Sequence, residues 1–119
     1  YLAGISEVAL KKHVSDKTNW RVMLKGGAAE TDLTVVRQTL ISRLPQEVQP
    51  YVLNNKTPLN LKFPVEKYPE NPKSLNLIKT PKYEGVLMGV KGQYLIFEDD
   101  TVFNIRSNEG LIVGLDIGV

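Results

Sequence analysis

The sequence contains no cysteine and a single histidine, His13. The first absence excludes disulfides, thiolate nucleophiles and every metal site with a cysteine ligand. The second excludes a zinc site built from several histidines. No run of about 18 apolar residues occurs, so the sequence predicts no membrane-spanning helix. The 119 residues must therefore fold around an ordinary apolar core, which a chain of this length can bury without a metal or a disulfide.

The chain also has little net charge, +2 at pH 7, which is too small to indicate nucleic-acid binding by itself. The basic excess lies at the N-terminal end, where residues 1–25 carry five basic and two acidic side chains. The favoured interpretation is a solvated helix face. The alternative is one edge of a surface that contacts phosphates and whose other part is missing.

Apolar residues recur at helical spacing in the first part of the chain. The pattern predicts three helices, over residues 1–14, 19–25 and 32–44. Asn19 is the expected N-cap of the second helix, Thr31 or Asp32 that of the third, and Pro45 ends the third. The first helix is apolar around most of its girth, which is typical of a helix packed against other elements. Because the chain enters this helix directly from Tyr1, we expect it to be a portion of a longer protein.

After Pro58 the apolar period changes from 3.6 to 2, which favours strands. About six are predicted, over residues 59–65, 74–78, 83–90, 93–98, 101–106 and 111–117. Residues 93–98 are apolar on both faces, as in a central or closed strand. Short strands with tight turns predict a small β-barrel. The expected fold is α+β, with N-terminal helices packed with a C-terminal antiparallel sheet curled into that barrel, and lobes at 1–53 and 59–119.

No set of catalytic side chains stands out in the sequence. His13 lies on a predicted helix without a partner for acid–base chemistry, and Gly26-Gly27 lacks the lysine and the serine or threonine of a phosphate-binding loop. The acidic run Glu98–Asp100 could hold a cation, because hard ions prefer clustered carboxylates. A solvated hairpin turn is the favoured interpretation of that run.

Aromatic and basic residues near the predicted turn at Gly92 allow a second hypothesis. On one face of a small barrel such residues could stack bases and hold phosphates. The aromatic candidates are Tyr83, Tyr94, Phe97 and Phe103, and the favoured alternative is that they fill the core. The predicted nucleic-acid contacts are Lys11, Lys12, Lys17, Arg21, Lys91, Tyr94 and Arg106.

Several segments resemble an uncharacterised prokaryotic protein family, catalogued only as a domain of unknown function. They are YLAGISEVALKKHVSDKTNWRVML (1–24), KSLNLIKTP (73–81), EGVLMGVKGQYLIFED (84–99) and FNIRSNEG (103–110). The hairpin around Gly-Val-Lys-Gly-Gln-Tyr is the most specific part. Members of that family look longer, with an N-terminal cysteine/histidine cluster and a segment similar to the first half of the GIY-YIG nuclease module. The resemblance implies that this chain is the C-terminal portion of such a protein.

The likeness to GIY-YIG nucleases implies a role for Glu7. Its helix, residues 5–13, is similar to the helix whose glutamate holds a divalent metal in those enzymes. Glu7 would then be a magnesium ligand in the parent protein, whereas the tyrosine strands and the arginine helix do not occur in these residues. This chain should therefore be catalytically silent and hold no cofactor of its own. The alternative is an ordinary surface pair of Glu7 with Lys11 at i,i+4.

Two functions are consistent with this sequence. The first is a nucleic-acid-associated accessory region of a GIY-YIG-like protein, whose discriminating property is salt-dependent binding. The second is a structural or dimerisation lobe that does not bind nucleic acid and self-associates through an exposed first helix. The expected localisation is cytoplasmic.

Overall fold

The computed structural model describes residues 1–118. It contains three α-helices, α1 (Leu2–Leu10), α2 (Trp20–Lys25) and α3 (Leu33–Ser42). Four strands follow, β1 (Lys73–Ser74), β2 (Leu87–Lys91), β3 (Tyr94–Phe97) and β4 (Thr101–Asn104). The helices precede the strands, which confirms the predicted α+β class. None of the helices in the described part of the chain has the length and hydropathy that a membrane crossing requires.

The chain divides into two compact units. The first comprises Tyr1–Asn19 and Gly27–Leu61 and contains α1 and α3; the second comprises Trp20–Gly26 and the chain from Lys62 onward. Helix α2 therefore folds in one unit with the sheet. The lobe boundaries expected from the sequence, 1–53 and 59–119, stay a prediction.

Helix α3 of the first unit is capped by side chains at both ends. The Asp32 carboxylate accepts hydrogen bonds from the backbone N–H groups of Thr34 (2.9 Å) and Val35 (3.3 Å), which identifies Asp32 as the N-cap. Beyond the other end, the Gln49 side-chain amide donates to the carbonyl of Ile41 (2.6 Å). These bonds satisfy backbone groups that a helix end leaves without partners.

The strands of the second unit form an open four-stranded sheet in the order β1-β4-β3-β2. β2 pairs with β3 and β3 with β4 in antiparallel register, whereas β1 pairs with β4 in parallel. The turn between β2 and β3 contains Gly92 with φ +59°, a conformation that glycine adopts without a steric penalty. β3 is a central strand, as its apolar character on both faces predicts.

The core of the second unit lies between α2 and one face of the sheet. Leu24 and Ile96 are completely buried, and Val102 and Tyr94 are almost so. Trp20, Met23 and Val65 pack against this group. Tyr94 and Ile96 share one face of β3, as the alternation predicts. Burial of these side chains supplies the main free energy that holds α2 on the sheet.

The predicted small barrel is not supported, because the sheet is open. The strand predicted at 59–65 is wrong: only an isolated bridge joins Val65 to Gly89, since Pro64 has no N–H to donate to a ladder. The strand predicted at 111–117 is also wrong, and the one at 74–78 is reduced to β1. Alternating apolar residues indicate an extended segment but do not supply its partner strand.

Candidate functional site

Three basic side chains lie toward one end of the sheet. Residue Lys91 lies beside the β2–β3 turn, where it is paired in register with Tyr94. The backbone N–H of Ile105 donates to the carbonyl of Gln93 (2.9 Å), which brings Arg106 to the same end. We call Arg21, Lys91 and Arg106 the basic end. The acidic run Glu98–Asp100 forms the β3–β4 turn at the opposite end.

Arg21 belongs to the basic end because it is stacked on an aromatic pair. Its guanidinium carbon lies 4.3 Å from the centroid of the Trp20 ring. The Trp20 ring in turn stacks on Tyr94, with centroids 6.0 Å apart and ring planes 15° from parallel. The Arg21 side chain is exposed, whereas Tyr94 is only 8% exposed. The result is an exposed guanidinium that lies over the Trp20 ring.

Lys91 is committed to contacts within the unit. Its ammonium group donates a hydrogen bond to the backbone carbonyl of Met23 (3.1 Å). The same group lies 5.2 Å from the Tyr68 ring centroid and 5.5 Å from that of Phe63. The hydrogen bond therefore joins β2 to α2, and cation–π attraction holds the ammonium group near the two rings.

The remaining predicted contacts are divided between the two units. Lys11, Lys12 and Lys17 are exposed residues of the first unit, whereas Arg106 and the stack that supports Arg21 belong to the second. The ammonium group of Lys11 lies 3.2 Å from the Glu7 carboxylate and 3.4 Å from that of Asp16. Hydrogen bonding to Glu7, and then to Asp16, raises the pKa of Lys11 above its ordinary value. This charge is already paired with two carboxylates.

Glu7 forms the surface pair that its spacing from Lys11 predicts. Its side chain is 66% exposed, on α1. Among residues 1–118 there is no group of three or more histidine, cysteine, aspartate or glutamate side chains arranged to hold a metal ion. His13 is exposed in the turn after α1, where its backbone N–H donates to the carbonyl of Leu10 (2.8 Å).

Most of the predicted aromatic residues pack as the core interpretation expects. Tyr94 is buried, and Phe97 and Phe103 are half-buried. The Tyr83 ring meets that of Phe97 edge to face, with centroids 4.9 Å apart. None of these four predicted aromatic side chains is exposed, whereas the Arg21 guanidinium above Trp20 is.

The carboxylate of Asp99 organises the β3–β4 turn, which the sequence indicated only as an acidic run. It accepts hydrogen bonds from the Thr101 backbone N–H (3.0 Å), the Thr101 hydroxyl (3.0 Å) and the Tyr83 hydroxyl (2.9 Å). The backbone bond from Thr101 is the largest cause that lowers the pKa of Asp99, and burial raises the pKa of Tyr83. The Asp-x-Thr spacing was the available signal, because such side chains bond to the backbone two residues ahead.

Asp100 fixes the same turn to the preceding loop. Its carboxylate accepts hydrogen bonds from the backbone N–H groups of Glu70 and Asn71, each at 3.1 Å. Its φ of 69° lies in the left-handed region, where aspartate is among the better tolerated residues. The two carboxylates are thus occupied by donors of the chain itself, which supports the turn interpretation over a cation site.

We expect Asp99 to make stability depend on acid pH. A folded-state pKa below the ordinary value means that the carboxylate stabilises the fold above about pH 4, and that this contribution is lost as the pH falls through the folded pKa. Asp99→Asn should therefore lower the urea midpoint at pH 7, and the difference from the native chain should shrink toward pH 3. Urea titrations at both pH values measure it.

The exposed Asp116, after the last turn, provides the matched control. Asp116→Asn should give a pH profile that follows the native chain. A constant difference between Asp99→Asn and the native chain from pH 7 to pH 3 would show that the Asp99 charge does not stabilise the turn.

The protein is thus a mixed α+β protein whose open sheet contains an antiparallel meander, β2 to β4. At the basic end of this sheet, the Arg21 guanidinium lies over the Trp20 ring. The chain belongs to the family described as "Protein of unknown function (DUF2797)", whose model matches residues 1–113. This confirms the resemblance to a domain of unknown function. Comparison with curated proteins gives no match, and comparison with solved structures gives none either.

Proposed function

We propose that this chain is a nucleic-acid-associated accessory region of a larger GIY-YIG-like protein, of which it forms the C-terminal portion. The observation that supports the proposal is Arg21, whose guanidinium lies over the Trp20 ring at the basic end of the sheet. A planar guanidinium can stack against a base and donate hydrogen bonds to a phosphate from the same group. Single-stranded nucleic acid is the ligand that offers both partners together, because its bases are not enclosed in a duplex.

The electrostatics of the second unit favour one end of the sheet for this ligand. Arg106 is exposed near the β2–β3 turn, and Lys25 is exposed in the last turn of α2. A strand bound at Arg21 would therefore extend toward Arg106 or Lys25.

The same proposal includes a metal-binding role for Glu7, which applies to the parent protein and not to this chain alone. The resemblance of its helix to the glutamate helix of GIY-YIG nucleases supports it as a magnesium ligand there. One exposed carboxylate paired with Lys11 does not by itself make a useful magnesium site, since that ion is usually bound by carboxylates together with substrate phosphates. This chain alone should therefore bind nucleic acid without cleaving it.

A fluorescent single-stranded oligonucleotide titrated with the protein should bind with an affinity that falls as salt rises. Arg21→Ala should weaken binding about 5- to 150-fold, because a lost base stack costs about 1–3 kcal/mol. Arg21→Lys should give an intermediate loss, since it keeps the charge but removes the plane. Fluorescence anisotropy measures all three, and the oligonucleotide should remain intact when Mg²⁺ is added.

Arg43→Ala is the matched control, since it removes the same charge from an exposed position after α3 in the first unit. Its affinity should stay close to that of the native chain. Equal losses of affinity in Arg43→Ala and Arg21→Ala would mean that binding depends on net charge and not on the position of Arg21. If the native chain did not bind the oligonucleotide at low salt, the proposed nucleic-acid interface would be wrong. If the native chain cleaved the oligonucleotide, the prediction that this chain is catalytically silent would be wrong.

A second candidate is a structural or dimerisation lobe that does not bind nucleic acid. It is favoured by α1, which has no buried residue although its sequence is largely apolar. Val8 is 65% exposed, and Tyr1 at the start of the helix is also exposed. Self-association through α1 would cover these side chains. Association that Val8→Glu abolishes, together with no oligonucleotide binding, would favour this candidate.

A further inference from the structure

The segment after the last turn, Leu111–Ile117, combines a strand pattern with exposed side chains; we call it the apolar tail. Its apolar side chains are all exposed, and Ile112 is fully so. Every odd position is a large aliphatic residue, in the order Leu111, Val113, Leu115 and Ile117. The even positions are Ile112, Gly114 and Asp116, which is the only charge of the tail. In an extended segment the odd side chains share one face.

The odd face of the tail borders a groove. Leu111 and Val113 line it together with Phe103 and Ile105 from the end of β4, and Arg106 and Glu109 also line it. The groove has a volume of about 400 Å³. Its walls are mainly apolar, and a cavity of roughly 150 Å³ already accommodates a benzene-sized molecule. It therefore has room for aliphatic side chains beyond those that line it.

We propose that two copies of this chain pair their apolar tails as antiparallel strands, with Gly114 on the twofold axis. In that register Leu111 lies opposite the partner's Ile117, and Val113 opposite the partner's Leu115. Directly opposed residues lie on the same face of a strand pair. The partner's Leu115 and Ile117 thus join the face that lines the groove, and they fill it.

Three features of the tail fit a second copy as the occupant. The pairing is self-complementary, as a twofold interface requires, because the odd positions are apolar on both sides of Gly114. The even face leaves Asp116, the only charge of the tail itself, in solvent. A two-stranded ribbon alone is marginal in water, and packing against Phe103 and Ile105 supplies the apolar support that it needs.

The absence of native cysteine permits a direct test of the register. Gly114→Cys places one thiol beside its own counterpart, with Cα atoms about 4.5–5.5 Å apart, within disulfide range. The space where a Cβ would stand at Gly114 is open. Under mild oxidation this variant should run as a covalent dimer on a non-reducing gel. Gly118→Cys, where the space is also open, is the control, because the two thiols would lie roughly 27 Å apart at about 3.4 Å per residue.

Sedimentation equilibrium of the full chain tests the same interface without a cross-link. The native chain should show a concentration-dependent dimer, and Leu115→Glu should weaken it about tenfold or more. Ile112→Gln, on the opposite face of the tail, should leave it nearly unchanged, because it removes an exposed apolar side chain without placing a charge opposite the partner's Asp116. Equal cross-linking of both cysteine variants, a native chain that is monomeric at all concentrations, or a dimer insensitive to Leu115→Glu would each overturn the proposal. The last result would place the contact elsewhere, such as on α1.

Discussion

Leu24→Ala should lower the free energy of unfolding by about 2–5 kcal/mol, the range for large-to-small substitutions at sites that cannot collapse. Leu24 is completely buried and is grouped in the core with Ile96 and Val102, so it anchors α2 to the sheet. Total stabilities of domains are about 5–15 kcal/mol, so the loss is a large part of the whole. Urea unfolding followed by Trp20 fluorescence measures it, because that ring reports on the same packing.

Val22→Ala on the same helix is the control. Val22 is 61% exposed, so its loss should change stability by well under half the effect of Leu24→Ala. The loss at Leu24 should also weaken the oligonucleotide binding proposed for Arg21, because the Arg21–Trp20 stack depends on the placement of α2. Comparable effects of both substitutions on stability would mean that α2 is not held by the core described above.

Local sequence signals predicted the elements whose partners lie nearby in the chain. Asp32 caps α3 through hydrogen bonds to residues two and three positions ahead, which is a local geometry. The β2–β3 hairpin follows from the alternation on either side of Gly92, since its turn sets the register. The burial of Tyr94 and Ile96 on one face follows from the same alternation.

The failures concern segments whose structure depends on a distant partner. Residues 59–65 alternate like a strand, yet Leu59 and Leu61 are exposed, and the hydrogen bonds to β2 begin only at Pro64. Residues 111–117 alternate in the same way and lie outside the sheet. A two-residue period shows which face of a segment is apolar, but it does not identify the neighbouring strand with which the segment pairs. The barrel was inferred by counting both segments as strands.

The candidate site also combines contacts between sequence neighbours, which the sequence predicts, with contacts between distant residues, which it does not. Proximity along the chain placed Arg21 beside Trp20, but only the fold shows that Trp20 rests on Tyr94. Lys91 was predicted as a ligand contact from its place beside a turn. Its pairing with the carbonyl of Met23 arises from a contact across 68 residues of sequence, which no local pattern reports.

Gly89→Ala should destabilise the second unit by about 1–3 kcal/mol or more, as overpacking of a well-filled position does. A Cβ at this position would lie 2.7 Å from the Cα of Val65, a backbone atom that no side-chain rotation can move. The clash would separate the 64–66 segment from β2, where the N–H of Glu66 donates to the carbonyl of Met88 (2.8 Å) and that of Val90 to the carbonyl of Pro64 (3.0 Å). Urea unfolding and amide hydrogen exchange measure both effects.

Gly4→Ala supplies a control of opposite sign. Gly4 lies within α1, nothing stands within 4 Å of its Cβ position, and alanine in a helix is about 1 kcal/mol more favourable than glycine. It should therefore stabilise the chain or leave it unchanged, whereas Gly89→Ala destabilises it and speeds exchange at Glu66 and Val90. If the Gly89→Ala chain were as stable as the native one, with both amides still protected, the segment at Val65 would be able to shift away from the new Cβ without a loss of free energy of unfolding. The 64–66 segment would then not protect the edge of β2, and that edge would be open to pairing with another strand.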